Sequence, residues 1–211
     1  MYTLYYSPGA ASFAVHWLLI EIGADHELKK VDLDAGEHRR PEYLKLNPNG
    51  FVPTLIVDGR ALYECAALLM LLTERHAEAG LAPPPGNPLR GIYLTWMLHL
   101  ANTLQPAAGD WFHPDRVTAD PAQHEAVKAG AHARLVAAWD RIDAQLRSGG
   151  PYLLGDRIWV VDFYATMVMR WSRNMPRPAT GWPAIAAYVA RMKARPSFRT
   201  LYQREGLTEW A

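Results

Sequence analysis

Residues 54–64 read Thr54-Leu55-Ile56-Val57-Asp58-Gly59-Arg60-Ala61-Leu62-Tyr63-Glu64, and Val52-Pro53 stands directly before them. Asp-Gly between two apolar, β-prone runs predicts a tight antiparallel hairpin, with strands at Thr54–Val57 and Arg60–Tyr63. From Glu64 to Ala77 the pattern becomes a very apolar helix. Upstream, Tyr2–Tyr6 is β-prone and is ended by Ser7-Pro8-Gly9. Ser12–Ile22 follows with helical periodicity at Phe13, His16, Trp17 and Ile20. Leu28–Leu33 alternates like a strand, and Pro41–Leu46 suits a short helix with proline in its first turn. The predicted order is β-α-β-α-β-β-α.

Beyond this lies Gly80–Leu89, GLAPPPGNPL. Three consecutive prolines make an extended, stiff linker. Downstream, Leu89–Ala108, Pro121–Leu146, Val160–Trp171, Pro183–Ala194 and Ser197–Arg204 read as helices. The expected division is 1–79 as an α/β module, 80–89 as linker and 90–211 as an all-helical module.

The chain has 211 residues, 50% hydrophobic and 20% charged. That composition excludes intrinsic disorder. At this length about 70% of the unfolded surface is buried on folding, enough for a core without covalent staples. The single cysteine, Cys65, excludes an internal disulfide framework and a thiolate zinc cluster, and it suits a reducing compartment. Net charge is +1, which gives no general pull toward nucleic acid, although basic residues gather between Arg170 and Arg204, as a solvated face or as a long-range attraction for an anionic ligand or surface. No apolar run reaches the ~20 residues of a membrane span. The start, MYTLYYSPGA, lacks a charged leader. Cytoplasmic location, with neither membrane nor nucleic acid as partner, is the expectation. The histidines form no metal pattern, His124-Glu125 lacks a second histidine, and no glycine-rich phosphate loop occurs.

Taken together, LYYSPGAAS, GEHRRPEYLKLNPNGFVPTL and DGRALYE resemble the N-terminal domain of cytosolic glutathione transferases, with bacterial beta-class enzymes most alike. GDRIWVVDFYA and ARPSFRTLYQREGL resemble that family's helical domain. The resemblance implies a thioredoxin-like domain followed by an all-helical one, glutathione as cosubstrate, no metal, and a homodimer. The implied function is activation of the glutathione thiol for attack on a small hydrophobic electrophile. Neighbouring possibilities are a glutathione-dependent reductase, dehalogenase or isomerase, or a non-catalytic binding protein on the same fold.

The same likeness implies residue roles. Val52-Pro53 is expected to be cis, since an X–Pro bond prefers trans by only about 0.5–1 kcal/mol. The Val52 N–H and C=O then pair with the cysteinyl backbone of glutathione as a strand would. Glu64 and Cys65 open a helix whose free N–H groups suit a carboxylate, while Glu64 itself suits an ammonium. Together they fit the γ-glutamyl end. The family often carries serine at position 65; a thiol is a weaker donor, but the backbone N–H remains. His38 is placed near the glycyl carboxylate, with Asn49 and Gly50 beside it.

Catalysis requires a thiolate. A free thiol titrates near 8.5, and lowering that by about two units takes about 2.7 kcal/mol of preferential anion stabilisation. Here the chain departs from the family. Beta-class enzymes carry cysteine where Ala11 stands, and delta- and theta-like enzymes carry serine where Ala10 stands. The beta-class His-Lys pair is Gln105-Pro106. Ser12 is therefore the leading candidate activator, with a helix N-cap as its competing role. Tyr6 stands at the position of the catalytic tyrosine of alpha, mu and pi enzymes, and Gln105 is an assisting donor that cannot act as a base. Tyr5, Phe13, Trp111, Phe112, Trp171 and Met175 are expected to line an apolar acceptor cleft, with core packing as the alternative. Trp159 stands where the family has a hydroxyl cap for the helix that contains Asp162.

Overall fold

The structure, a computed structural model, describes residues 1–210. It divides into two compact units: Met1–Ala82 together with Lys193–Glu209, and Pro83–Met192.

The first unit is built on β1 (Tyr2–Tyr6), α1 (Phe13–Glu21), β2 (His26–Lys30), a 3-10 turn (Glu37–Arg39), α2 (Pro41–Leu44), β3 (Thr54–Val57), β4 (Arg60–Tyr63) and α3 (Cys65–Arg75). The strands form one four-stranded sheet in the order β2-β1-β3-β4. β1 runs parallel to β2 and antiparallel to β3, and β3 pairs antiparallel with β4. The hairpin turn has φ of 51° at Asp58 and 76° at Gly59, the double positive φ of a type I′ turn. Arg75 of α3 grips that turn, donating to both oxygens of Asp58 at 2.7 and 3.1 Å.

The second strand lies earlier than the alternation from Leu28 to Leu33 predicts. Its register is dictated by its partner, Tyr2 opposite His26 through Tyr6 opposite Lys30. One more bond, Val31 N–H to the Tyr6 carbonyl at 2.8 Å, closes the ladder. Val31 then turns into the small cluster with Tyr43 and Val52 instead of continuing the sheet.

α1 is buried from Phe13 to Leu19, on all sides and not on one stripe. A helix apolar all round needs partners on opposite faces. Here they are α3 on one side and α9 (Pro196–Glu205) on another. Sequence position assigns α9 to the helical module; packing assigns it to the first unit. Phe198 and Tyr202 stack against Phe13 and Trp17, with ring centroids 5.0–6.2 Å apart. The Trp17 indole donates to Ser197 Oγ at 2.8 Å, and Arg195 pairs with Glu21.

In the second unit the helix predicted over 89–108 is interrupted. α4 (Arg90–His99) passes through a π-turn (Leu100–Leu104) into α5 (Gln105–Phe112). Pro106 has no N–H for the carbonyl four residues back and its ring crowds that carbonyl. A wider turn accommodates it. α6 (His124–Gly149), α7 (Val160–Trp171) and α8 (Pro183–Lys193) complete the unit. α7 is buried from Val160 to Arg170. Tryptophan offers no acceptor for its N-terminus, so Asp162 holds that end from within. Its carboxylate accepts from Trp159 N–H (2.8 Å), Leu153 N–H (3.0 Å) and the Tyr188 hydroxyl (3.0 Å).

Candidate functional site

The register of the first unit's sheet gathers three chain segments at one end. Tyr5 lies opposite Thr54, and Thr54 opposite Tyr63. One step further along, the end of β1, the Val52–Pro53 bond and the Glu64–Cys65 helix mouth therefore lie side by side.

The Val52–Pro53 bond is cis. Among the described residues neither the N–H nor the C=O of Val52 enters a hydrogen bond. The loop before it is rigid. The carbonyl of Phe51 accepts from the Tyr43 hydroxyl at 2.6 Å and from Asn47 Nδ2 at 2.8 Å. Thr54 Oγ1 lies 2.8 Å from the same tyrosine oxygen; with that proton already donated to Phe51, threonine is the donor. Burial pushes the Tyr43 phenol above its ordinary pKa, so this donor stays protonated. Sequence reading passed over Tyr43 and Asn47; aromatic and amide side chains near a Pro-Gly loop were the available signal.

Asn49 accepts from Arg39 Nη1 at 3.3 Å through its carbonyl, and its N–H donates to Asn47 Oδ1 at 3.1 Å. Gly50 has φ +63°, and a Cβ there would meet the His38 carbonyl at 2.9 Å and Arg39 Nη1 at 2.8 Å. Only glycine fits both the conformation and the space. Through this contact the His38 loop lies against Asn49–Phe51. The Arg39 guanidinium sits over the Phe51 ring at 5.2 Å, a cation that sequence reading also passed over in favour of His38.

Glu64 is exposed and has φ 73°, ψ 107°. A non-glycine residue held there costs on the order of 1–3 kcal/mol, and such strain concentrates at ligand sites. It caps nothing with its side chain. Cys65 behind it is buried, and burial with the nearby Glu64 charge pushes its thiol far up, so it stays a neutral packing group.

The β1–α1 loop is the third wall. Ser12 is fully buried; its hydroxyl donates to the Ser7 carbonyl at 3.1 Å and accepts from the Ser7 N–H at 3.2 Å. It makes no helix-cap bond. Both roles expected of Ser12 are therefore displaced: its one proton is committed inside the loop. Among the described residues the N–H groups of Ala11 and Ser12, at the mouth of α1, donate to no acceptor. Gly9 N–H donates to Glu205 Oε2 at 2.8 Å, and Glu205 Oε1 meets His16 Nδ1 at 2.8 Å, with both side chains fully buried. The Tyr6 ring lies 5.8 Å from the His16 ring. Partial burial and the Glu205 charge raise the Tyr6 phenol above its ordinary pKa. It is a protonated donor near neutrality, and its hydroxyl has no partner among the described residues.

The residues expected at an acceptor cleft separate. Phe13 is a core residue with no exposure, enclosed by Trp17, Phe198 and Tyr202, so a bound molecule cannot reach it. Met175 is likewise buried. Tyr5 packs against the Val31–Tyr43–Val52 cluster, with the Lys29 ammonium 5.7 Å above its ring. Trp111 faces His132 at 5.6 Å and lines a cleft of about 290 Å³ in the second unit. Trp171 is half-buried, and Phe112 is 48% exposed. In the same unit the Tyr164 hydroxyl donates to Gln105 Oε1. Among the described residues there is no cluster that could hold a metal ion, and no helix is long and apolar enough to cross a membrane.

Comparison with known proteins is consistent along the chain. Residues 1–71 match the family model "Glutathione S-transferase, N-terminal domain", and residues 125–191 match "Glutathione S-transferase, C-terminal domain". A protein of Escherichia coli O157:H7 named glutathione S-transferase GstA is 30% identical over 206 residues, 97% of this chain and 98% of that one. A solved glutathione transferase from Methylococcus capsulatus is 35% identical, with TM-score 0.87 over 99% of this chain and 100% of that one. A transferase homologue from Sulfitobacter, solved with bound glutathione, is 28% identical, with TM-score 0.90 over 99% of each chain.

Proposed function

The chain belongs to the glutathione S-transferase family, a transferase with glutathione as cosubstrate, and from that premise we infer that the sheet end at Val52, Glu64 and the β1–α1 loop seats the tripeptide. The observation that carries this is the unpaired backbone of Val52 beside the strained mouth of α3. An extended ligand pairing antiparallel with Val52 exchanges both bonds through its cysteinyl residue. Polarity then fixes its ends. The γ-glutamyl end runs toward Pro53 and its neighbour Glu64, where the carboxylate takes the N–H groups of Cys65 and Ala66 and the ammonium takes Glu64. The glycyl carboxylate runs back toward Phe51 and Asn49, within reach of the His38–Arg39 turn and its guanidinium.

The cysteinyl sulfur faces the β1–α1 loop. Its proton is lost because the anion is stabilised by the free N–H groups of Ala11 and Ser12 at a helix start and by a neutral phenol at Tyr6. A serine-hydroxyl mechanism through Ser12 finds no free proton. The thiolate then attacks a small hydrophobic electrophile. We infer a homodimer from exposed apolar side chains on α4, Ile92 at 41% and Leu98 at 50%, with Phe51 at 45% on the first unit. A cytoplasmic site of action accords with the single free cysteine.

The test is calorimetry with glutathione, thiolate absorbance of the complex against pH, and turnover of a panel of aromatic electrophiles. Saturable binding with a thiol titrating below the free value, raised again in Tyr6→Phe, supports the reading. Absence of binding at millimolar glutathione overturns it. Binding with an unshifted thiol and no turnover makes the chain a carrier instead of a catalyst.

A further inference from the structure

We propose that Tyr43 and Asn47 are positioning residues for glutathione, holding the Phe51 carbonyl on the protein side so that the N–H at the other end of the same peptide, that of Val52, is turned out toward the ligand. This rests on the reading of Val52 as the strand partner of the cysteinyl backbone.

An antiparallel partner is recognised by where the strand places its donors and acceptors. The peptide between Phe51 and Val52 has two orientations open to it. A half-turn, taken up by the torsions on either side, exchanges an outward N–H for an outward carbonyl. Before a ligand carbonyl the first attracts and the second repels. The Phe51–Val52 bond is trans, so its C=O and N–H point to opposite sides of one plane. Fixing one end therefore fixes the other.

Two side chains fix the carbonyl. The Tyr43 hydroxyl donates to it at 2.6 Å and Asn47 Nδ2 at 2.8 Å, which occupies both of its lone pairs. Neither donor is free to turn away. Tyr43 is 6% exposed, packed with Val31 and Val52. Its oxygen accepts from Thr54 Oγ1 of β3 at 2.8 Å, so its own proton is left for Phe51, and burial keeps that proton on the phenol. Asn47 is 2% exposed. Its Oδ1 accepts from the Asn49 N–H at 3.1 Å, which assigns the oxygen to that side and leaves Nδ2 for Phe51. Its backbone is tied as well, the N–H to the Tyr43 carbonyl at 3.0 Å and the carbonyl to the Gly50 N–H at 2.9 Å. Two chains of directed bonds thus end on one oxygen. At the far end of the same plane, among the described residues, the Val52 N–H donates to no acceptor. Val52 is 7% exposed, and an unpaired donor in such surroundings carries a penalty that a ligand carbonyl removes.

The experiment compares wild type, Tyr43→Phe, Asn47→Ser and the double variant. Ser197→Ala is the control, since it removes the acceptor of the buried Trp17 indole away from this loop. Glutathione affinity is measured by calorimetry, kcat and KM with an aromatic electrophile, the thermal midpoint, and residue-resolved amide hydrogen exchange without glutathione and at saturation. Affinity should fall about threefold to tenfold in each single variant, the scale of one neutral hydrogen bond, and further in the double variant. KM for glutathione should rise by more than kcat falls. The slowing of exchange by glutathione should weaken at the Val52 N–H and persist at Cys65 and Ala66, a local pattern that general loosening of the fold does not produce. Ser197→Ala should lower the thermal midpoint and bind as wild type does. Wild-type affinity in Tyr43→Phe and in the double variant overturns the proposal, as does equal loss of protection at Val52, Cys65 and Ala66. An affinity loss in Ser197→Ala matching that of Tyr43→Phe also overturns it, because binding would then follow stability alone. If wild type itself fails to bind glutathione, the underlying functional reading falls and the proposal with it, which the wild-type titration alone reveals.

Discussion

The N–H of Gly9 donates to the carboxylate of Glu205 at 2.8 Å, across 196 positions of sequence. The loop at the start of the chain is thereby held by the last helix, and the other carboxylate oxygen holds His16 of α1. Removing one partner of a buried pair costs about 3–5 kcal/mol, because the other is left uncompensated. Glu205→Ala should lose about that much in urea unfolding and should bind glutathione more weakly by calorimetry. A loss under about 1 kcal/mol would show that the contact is incidental.

Glu64 sets stability against binding. Its φ of 73° is strained for any residue with a Cβ, and glycine relieves that strain. Glu64→Gly should raise unfolding free energy by about 1 kcal/mol while weakening glutathione about tenfold, since the ammonium loses a charged partner. Unchanged values on both measurements would mean that neither the strain nor the carboxylate serves the ligand.

Gly50 and Gly59 both have positive φ, 63° and 76°, but only Gly50 has neighbours in the way of a Cβ. Alanine at either should cost about 1 kcal/mol or more from conformation alone. Gly50→Ala should cost more than Gly59→Ala, and it alone should weaken glutathione, because it pushes the His38 carbonyl from Asn49–Phe51. Equal effects at the two positions would disprove the coupling of those loops.

Acid should destabilise the fold through its histidines. Burial lowers His26, His99 and His113 below their ordinary value near 6.5. Between the lowered values and about 6.5 the unfolded chain binds more protons than the folded one, so stability rises with pH across that window and falls on acidification. The thermal midpoint should drop from pH 7 to pH 5, and His26→Gln should flatten the slope. A midpoint insensitive to pH in this range would contradict the burial of these rings.

Cys65 is the chain's single cysteine. Because burial and the charge of Glu64 keep its thiol protonated, a thiol reagent at pH 8 should leave the native protein untouched and react with one equivalent in urea. Rapid native reaction would place this sulfur in solvent and reopen a redox role for it.

The order of strands and helices in the first eighty residues was legible because each signal is local. Asp58-Gly59 needs nothing beyond its own backbone to turn, and the run after Glu64 carries its helical character in its composition. The cis bond at Val52-Pro53 was legible through family likeness, since that likeness is carried by a short, fixed motif. The acceptor-cleft reading of Phe13 failed for a matching reason: an aromatic at helical spacing has the same sequence signature whether it lines a cleft or a core.

Sequence by itself therefore determined the order of strands and helices in the first unit and the hairpin, because propensity and motif act over a few neighbouring residues. Tertiary structure alone decided where protons go. Ser12 turns its hydroxyl back to Ser7, Glu205 reaches Gly9 from the far end of the chain, and Tyr164 takes the oxygen of Gln105. A hydrogen bond joins whichever donor and acceptor folding brings within about 3 Å, and separation along the chain carries no record of that distance.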